Sequence, residues 1–298
     1  MEKAWTIRRL LEWTIPYLEG LCIERPRFDS EMLLAFALGR DRLWLYTHYD
    51  QPLTPPELAK YRSAVIRRSK REPLQYILGH WGFWSLEFAV RPGVLIPRQE
   101  TEHLVEFALA RAHPGHSILD VCTGSGNIAV CLAKEVPSAS LWATDISGQA
   151  IELAKENARI HNVLERIHFA VGDLFEPVRE QRGCFDLVVC NPPYIPSGEI
   201  DKLQPEISRF EPRAAVDGGS DGLAFYRRLV PGAIAFLKPT GYLVVEIGAD
   251  QAQSVREMLA AWRYRDIAVV KDYSGQERVV AGICPGKNEL QGKESLTG

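Results

Sequence analysis

Asp120-Val121-Cys122-Thr123-Gly124-Ser125-Gly126-Asn127-Ile128-Ala129 is the stretch on which the fold turns. A short apolar run, 117–122, leads into it, and a segment of helical period, 127–135, leads out. Glycines at such a junction let the backbone turn sharply and pass close to a ligand, which meets the free N–H groups of the new helix. Taken strictly, residues 124–129 fit G-x-G-x-x-A, the pattern of a strand–turn–helix nucleotide site. Asp145 closes the next apolar run, 141–145, where an acid can bind ribose hydroxyls.

Working outward, strands expected at 117–122, 141–145, 167–172, 186–190 and 242–247 alternate with helices at 127–135, 148–161, 223–237 and 251–262. Segments 267–271 and 277–283 suit a closing hairpin. This alternation predicts an α/β fold: a mostly parallel, Rossmann-like sheet with helices on both faces. Asp173, in Val171-Gly172-Asp173-Leu174-Phe175, is a third acid at a strand end. Its carboxylate is placed to accept from an adenine amino group while Leu174 packs on the ring, although capping a turn explains it equally well. Three acids along the carboxyl edge of an open sheet favour an adenosine site. They do not separate NAD from S-adenosylmethionine, since both present adenosine to the same turn.

Residues 1–75 carry helical periods and predict a small helical bundle. Asp29 is expected to cap a helix over 31–38 that stops at Gly39, and Thr54-Pro55-Pro56-Glu57 reads as a capping box. Residues 76–98, aromatic and alternating around Trp81–Val90 with turn chemistry at Arg91-Pro92-Gly93 before Val94-Leu95-Ile96, predict a β-hairpin connector. A helix is expected over 99–112, the catalytic domain over 99–284, and a disordered tail over 285–298.

Composition bounds the class. The 298 residues hold 35 Lys+Arg and 38 Asp+Glu, a net charge of −3, with 24% charged residues, an ordinary globular share. No apolar run approaches the ~18 residues of a membrane span. The opening Met-Glu-Lys-Ala-Trp lacks the pattern of a secretory leader. Cysteines 22, 122, 131, 184, 190 and 284 are scattered, so neither a disulfide framework nor a zinc site is indicated, and none of the seven histidines has metal-ligand spacing. A cytoplasmic protein without membrane contact follows. The one compact basic run, Arg67-Arg68-Ser69-Lys70-Arg71, is expected to form a solvated helix face or to meet an acidic or RNA-bearing partner.

The chemistry sits in Asn191-Pro192-Pro193-Tyr194-Ile195-Pro196, after the fourth strand. Consecutive prolines stiffen the loop and remove two N–H donors, so it presents acceptors. Asn191 adds a side-chain acceptor and Tyr194 a flat face. Such a loop suits a planar –NH2 group, its hydrogens held by two acceptors and its nitrogen aimed at an electrophilic methyl.

Asp-x-x-Thr-Gly-x-Gly followed by Asn-Pro-Pro-Tyr resembles the class I S-adenosylmethionine-dependent amino-methyltransferases. Gly93-Val94-Leu95-Ile96-Pro97-Arg98-Gln99-Glu100-Thr101-Glu102 narrows this, being similar to the Val-Leu-Ile-Pro-Arg-Pro-Glu-Thr-Glu signature of the peptide chain release factor glutamine methyltransferases. Residues 71–79 and Asp272-Tyr273-Ser274-Gly275-Gln276-Glu277-Arg278 carry the likeness further, to about residues 5–284. Gln99 stands where that family has proline, which puts the rigidity of the loop in question.

The resemblance implies transfer of a methyl group from S-adenosylmethionine, leaving S-adenosylhomocysteine, to the glutamine N5 of the Gly-Gly-Gln motif in release factors. It implies that Asn191 and Pro192 hold the amide, with Pro193 and Tyr194 lining its pocket. Asn191, Pro192 and Tyr194 would be the catalytic residues. Cys122, Thr123, Gly124, Ser125, Gly126, Asp145, Asp173, Leu174 and Asn191 would bind the cofactor, with no metal. The helical bundle would dock the release factor, and a monomer is expected. Glutamine methylation of ribosomal protein L3, whose family lacks the Pro-Arg-x-Glu-Thr-Glu connector, is one alternative. Another is N-methylation of a nucleic-acid base, disfavoured for DNA by the absence of a broad basic surface, with RNA contact left open. An NAD-dependent oxidoreductase or nucleotide-binding module would leave the Asn-Pro-Pro-Tyr loop without a purpose.

Overall fold

A computed structural model describes residues 4–286, so the tail from residue 287 on lies outside the described residues. The chain divides into two compact units. One takes the chain through His80 together with Gln204–Phe210, and the other takes Trp81–Leu203 and the chain from Glu211 on.

The first unit holds α1 (Ile7–Gly20), α2 (Pro26–Leu38), α3 (Arg42–Thr47), α4 (Pro55–Ser69) and α5 (Leu74–Leu78). The capping box at the start of α4 forms, with the Thr54 N–H donating to Glu57 Oε2 at 2.8 Å. Asp29, by contrast, caps nothing. Helix α2 begins three residues earlier at Pro26, whose fixed φ suits a first turn and whose missing N–H is no loss there. Asp29 is buried inside that turn and accepts from Arg68 Nε at 2.6 Å.

The basic run is not a solvated face either. Arg68 is 6% exposed and also pairs with Glu206 at 2.8 Å, Arg71 pairs with Glu206 at 2.7 Å, and Arg67 with Glu72. A buried guanidinium left unpaired would cost several kcal/mol, so carboxylates of the same unit neutralise it. Of the run's cations Lys70 alone is exposed.

The second unit opens with a hairpin, β1 (His80–Phe83) and β2 (Leu86–Ala89). Its turn is Trp84-Ser85, both with positive φ (+51° and +58°), the geometry that matches strand twist. The Arg91-Pro92-Gly93 turn expected from sequence opens no strand; Val94 and Ile96 are buried outside any strand, Val94 against Ala150 and Leu153. The Glu102 carboxylate accepts the Trp84 N–H at 2.8 Å and fixes the turn where it stands.

After α6 (Glu102–Leu109) come β3 (Ser117–Val121), α7 (Asn127–Glu135), β4 (Ser140–Asp145), α8 (Gly148–Ile160), β5 (Ile167–Val171) and β6 (Phe185–Cys190). Helix α9 (Pro205–Phe210) belongs to the first unit. Then α10 (Ala224–Ala233), β7 (Leu237–Glu246), α11 (Ala252–Ala261), β8 (Arg265–Lys271) and β9 (Glu277–Ile283) complete the second. Seven strands form one sheet in the order β5-β4-β3-β6-β7-β9-β8. Strands β3 to β7 pair in parallel, and β9 runs antiparallel to both β7 and β8.

Alternation along the strands separates two cores. Ile118, Leu187, Val189 and Val244 pack with α6 and α7 on one face. Leu119, Val121, Val188, Leu243 and Val245 pack with α10 and α11 on the other. Each such side chain contributes ~1.5–3 kcal/mol when fully buried. A wholly buried carboxyl among them, Asp120, therefore needs a reason. Strand order reverses between β3 and β6, which opens a crevice at the carboxyl edge.

Candidate active site

Register lines up the site. Val121 pairs with Thr144 and Cys190, and Cys190 with Val245. The residues one step further along, Asp145, Cys122, Asn191 and Glu246, therefore form a row across four adjacent strand ends.

At the Asp145 end the turn out of β3 is held by carboxylates. Asp120 Oδ2 accepts from the Thr123 hydroxyl at 2.6 Å and the Ala129 N–H at 3.2 Å, which is the reason for its burial. Burial raises its carboxyl to about 7 against those two hydrogen bonds. Asp145 Oδ2 accepts the Gly124 N–H and Oδ1 the Ser147 N–H, both at 2.9 Å. Burial raises this carboxyl too, opposed by the same backbone donors.

Gly124 takes a φ of +55° with open space where a side chain would be, so its backbone is reachable by a ligand. Gly126, at φ +79°, instead lies so close to α8 that a Cβ would come within 2.8 Å of Ala154 Cβ. Thr123 and Ser125 are buried inside the turn. Asn157 of α8, fully buried, bonds the Ser125 carbonyl at 2.9 Å and both backbone groups of Ala89, so one side chain ties helix, turn and hairpin together.

At the other end Asn191 Nδ2 donates to Thr101 Oγ1 at 3.1 Å. The Tyr194 hydroxyl reaches Glu246 Oε1 at 3.4 Å, and the Tyr194 carbonyl accepts from Gln251 Nε2 at 2.8 Å. The loop is stapled further by Ile195, whose N–H donates to the Val216 carbonyl at 2.9 Å. Glu246 is 1% exposed and its Oε2 has no hydrogen-bond partner. Burial and the nearby Glu100 push its carboxyl up to about 7, opposed by the Thr101 and Tyr194 hydroxyls and by Arg278. Burial beside Glu246 also raises the Tyr194 phenol.

Arg98 grips both oxygens of buried Glu211, at 2.8 and 2.6 Å. Gln99 is exposed at the first position of a short 3-10 turn, Gln99–Thr101. A proline ring is not needed to start it, so the loop keeps its shape without the family residue.

A cavity of about 170 Å³ brings the two ends together, with Cys122, Gly124, Asp145, Ile146, Asn191 and Pro193 among its walls. Pro192 is buried within the loop and Tyr194 half-buried behind it. Asp173 and Leu174 are absent from these walls. The Asp173 carboxylate is engaged by Arg228, and the Leu174 side chain belongs to the core under α10.

Thr101, Asn157, Glu246 and Gln251 escaped the sequence reading. Glu246 had a usable signal: it ends a buried strand with an acid on the same sheet edge, as Asp145 does. Among the described residues no group of three or more His, Cys, Asp or Glu is placed to hold a metal ion, and no helix is long and apolar enough to cross a membrane.

Known proteins resemble the chain along its length. A family model described as the PrmC N-terminal domain matches residues 9–79, and one described as the methyltransferase small domain matches residues 99–207. A release factor glutamine methyltransferase of Geobacter sulfurreducens is 50% identical over 280 residues, covering 94% of this chain and 97% of the relative. One of Moorella thermoacetica is 42% identical over 276 residues, 92% and 96% of the two chains. Among solved structures, a methyltransferase from Pyrococcus furiosus covers 68% of this chain and 91% of its own at 18% identity, with a TM-score of 0.52, a likeness of fold.

Proposed function

This chain belongs to the release factor glutamine methyltransferases, and from that premise we propose how its own residues bring about the transfer. It methylates a glutamine of peptide chain release factors. In our reading the acceptor atom is the side-chain amide nitrogen (N5) in the Gly-Gly-Gln motif, and the methyl donor is S-adenosylmethionine. The observation that carries this reading is that an acceptor-rich loop and an acid-braced glycine turn line one cavity.

The donor supplies a methyl group on a positively charged sulfur. The residues present fit it. Gly124 offers open backbone, and Asp145, with one lone pair on each oxygen already fixed by a backbone N–H, keeps others for ribose hydroxyls. Ile146, 69% exposed on the cavity wall, is the kind of uncovered apolar surface a purine ring would cover. We assign the adenine to Ile146 and Ala150 in place of the Asp173–Leu174 pair. The cavity is smaller than the ~300 Å³ at which ligand pockets usually begin, so the donor would be only partly enclosed.

A carboxamide nitrogen is a poor nucleophile because its lone pair is shared with the carbonyl. Asn191 Oδ1 and the Pro192 carbonyl would accept its two hydrogens, holding the –NH2 plane so that the lone pair faces the methyl carbon. Tyr194 would pack against that plane. As the N–C bond forms the nitrogen gains positive charge and its hydrogens bind these acceptors more tightly, so the gain is greatest in the transition state. The sulfur–methyl bond is broken as the nitrogen–methyl bond forms, leaving neutral S-adenosylhomocysteine, and one nitrogen hydrogen then passes to water as a proton, which restores a neutral amide.

The helical unit, where Trp13 and Tyr17 stack at 4.9 Å on the surface, is proposed to dock the release factor. We take the enzyme to be a cytoplasmic monomer that needs no nucleic acid. The arginines of 67–71 support only the last point, being occupied by carboxylates of their own unit.

The test is a competition. The protein, methyl-labelled S-adenosylmethionine, a release factor, ribosomal protein L3 and DNA are combined in one tube. Label in the Gly-Gly-Gln peptide is expected, and label on L3 or DNA in its place would overturn the substrate assignment.

A further inference from the structure

One side chain holds the acceptor loop from behind. Gln251 stands at the head of α11, where its own N–H donates to the Gly248 carbonyl at 3.0 Å. Its carboxamide ties three segments together. Oε1 accepts the Gly248 N–H at 3.0 Å, while Nε2 donates to the Tyr194 carbonyl at 2.8 Å and to the Gly222 carbonyl at 3.2 Å.

The two ends of a carboxamide are almost the same shape, so its partners decide which way it turns. Here those partners are backbone groups of fixed sense: an N–H only donates and a carbonyl only accepts. Oε1 must therefore face Gly248, and the Nε2 protons must face the two carbonyls. The Tyr226 hydroxyl, 3.4 Å from Oε1, makes its shorter bond to the Glu246 carbonyl, at 2.8 Å, and does not alter this.

What Nε2 holds matters for the chemistry. The loop leaves β6 at Cys190, whose place is set by pairing with Val121 and Val245. Pro192 and Pro193 have no N–H, so neither can be tied down by a donor of its own. The far end of the loop is fixed at the Tyr194 carbonyl and, one residue on, at the Ile195 N–H. Asn191 and the Pro192 carbonyl lie between these two anchored ends. Gly222 shows how close the fit is. With φ at +74°, a Cβ there would run into the Tyr194 carbonyl oxygen and come within 2.6 Å of Gln251 Nε2.

We propose that Gln251 is a positioning residue, which fixes the far end of the Asn191–Tyr194 loop and thereby aims its two acceptors at the substrate amide. The proposal rests on the roles given to Asn191 and Pro192 above and extends them. A plain helix-capping role would need only Oε1 on the Gly248 N–H. The Nε2 bonds are what reach the loop.

That difference sets the experiment, which uses the full chain, S-adenosylmethionine and a purified release factor. Gln251→Glu keeps the size and the acceptor for Gly248, but sets a lone pair against the Tyr194 and Gly222 carbonyls. It is expected to lower kcat ~10- to 100-fold, the scale of a misaimed catalytic group. KM for the release factor and affinity for the donor should stay within about threefold. Gln251→Met, which neither donates nor repels, should lose less than Gln251→Glu. Gly222→Ala, which pushes on the same carbonyl from the other side, should also lower kcat.

Parental kcat in Gln251→Glu would overturn the proposal and leave the residue a helix cap. So would a loss that appears equally in donor affinity or KM. If Gln251→Glu does not fold, judged by its melting curve and donor binding, Gln251→Met decides, and parental kcat there is the contrary result. Asn191→Ala separates the two levels. An active Asn191→Ala enzyme removes the acceptor reading itself, whereas an inactive one beside a fully active Gln251→Glu removes only the positioning.

Discussion

The two ends of the row along the sheet's carboxyl edge are built in different ways. At the Asp145 end, carboxylates hold mainly backbone N–H groups, and Asp120, Thr123 and Ala129 lie within 9 residues of one another. At the Asn191 end, side chain holds side chain across 90 residues, from Thr101 to Asn191, and 52, from Tyr194 to Glu246. The first arrangement shapes a backbone cradle. The second aims individual atoms. Substitutions at the first should therefore change affinity for the donor, and at the second the rate of transfer.

The sharpest way to break this contrast is Asn191→Ala. Loss of one positioned acceptor should lower kcat by ~100- to 1,000-fold, the scale of a deleted oxyanion-hole donor. Calorimetry should still show donor binding within about tenfold of the parent. Parental turnover would dissolve the distinction. Asp145→Ala is expected to do the reverse: donor affinity falls ~10- to 100-fold, as for the loss of charged hydrogen bonds, while kcat at saturation barely moves. A large kcat effect with unchanged affinity would show that the cradle end also aims the chemistry.

A pH series sharpens the comparison from both ends at once. Asp120 and Glu246 are each pushed up to about 7 by burial, and burial raises Asp29, Asp145 and Glu211 in the same direction. Between ordinary carboxyl values and about 7 the folded chain holds protons that the unfolded chain has released. Stability is thus present at low pH and is lost as pH rises through about 7. The melting temperature should fall by a few degrees between about pH 5 and 8, each kcal/mol being worth ~2–4 °C in a chain of this size. Asp120→Asn and Glu246→Gln should each flatten part of that slope. The smallest effect is expected from Asp173→Ala. It breaks only an exposed pair with Arg228, worth ~0–1 kcal/mol, so donor affinity should change less than about threefold.

The same contrast explains what the sequence could reveal. The α7 helix, Asn127–Glu135, and the strand ends at Asp145 and Cys190 were legible because strand–turn–helix chemistry is local and the apolar runs are continuous. The Asn-Pro-Pro-Tyr loop was legible because prolines and an amide declare acceptors within four residues. Thr101 was not, since it meets Asn191 only when the turn Gln99–Thr101 lies beside the end of β6, and Glu246, though an acid ending a strand, gains its neighbours only when β7 lies beside β6. Asp29, read as a helix cap, and the 67–71 arginines, read as a solvated face or a partner contact, misled for a related reason: Asp29 and Arg68 are buried against each other, and Glu206, distant in sequence, pairs with Arg68 and Arg71. The hairpin turn moved to Trp84-Ser85 because Glu102, distant in sequence, holds it there. Asp173 looked equivalent to Asp145 as a strand-end acid, but it lies outside the cavity and pairs with Arg228, 55 residues away.

The most direct test of the central claim locates the methyl group. A release factor is incubated with the protein and S-adenosylmethionine, digested, and its Gly-Gly-Gln peptide fragmented in a mass spectrometer. One added methylene mass on the glutamine side-chain nitrogen is expected, absent from the product of Asn191→Ala. A methyl group on any other residue, or undiminished glutamine methylation by Asn191→Ala, would contradict the account.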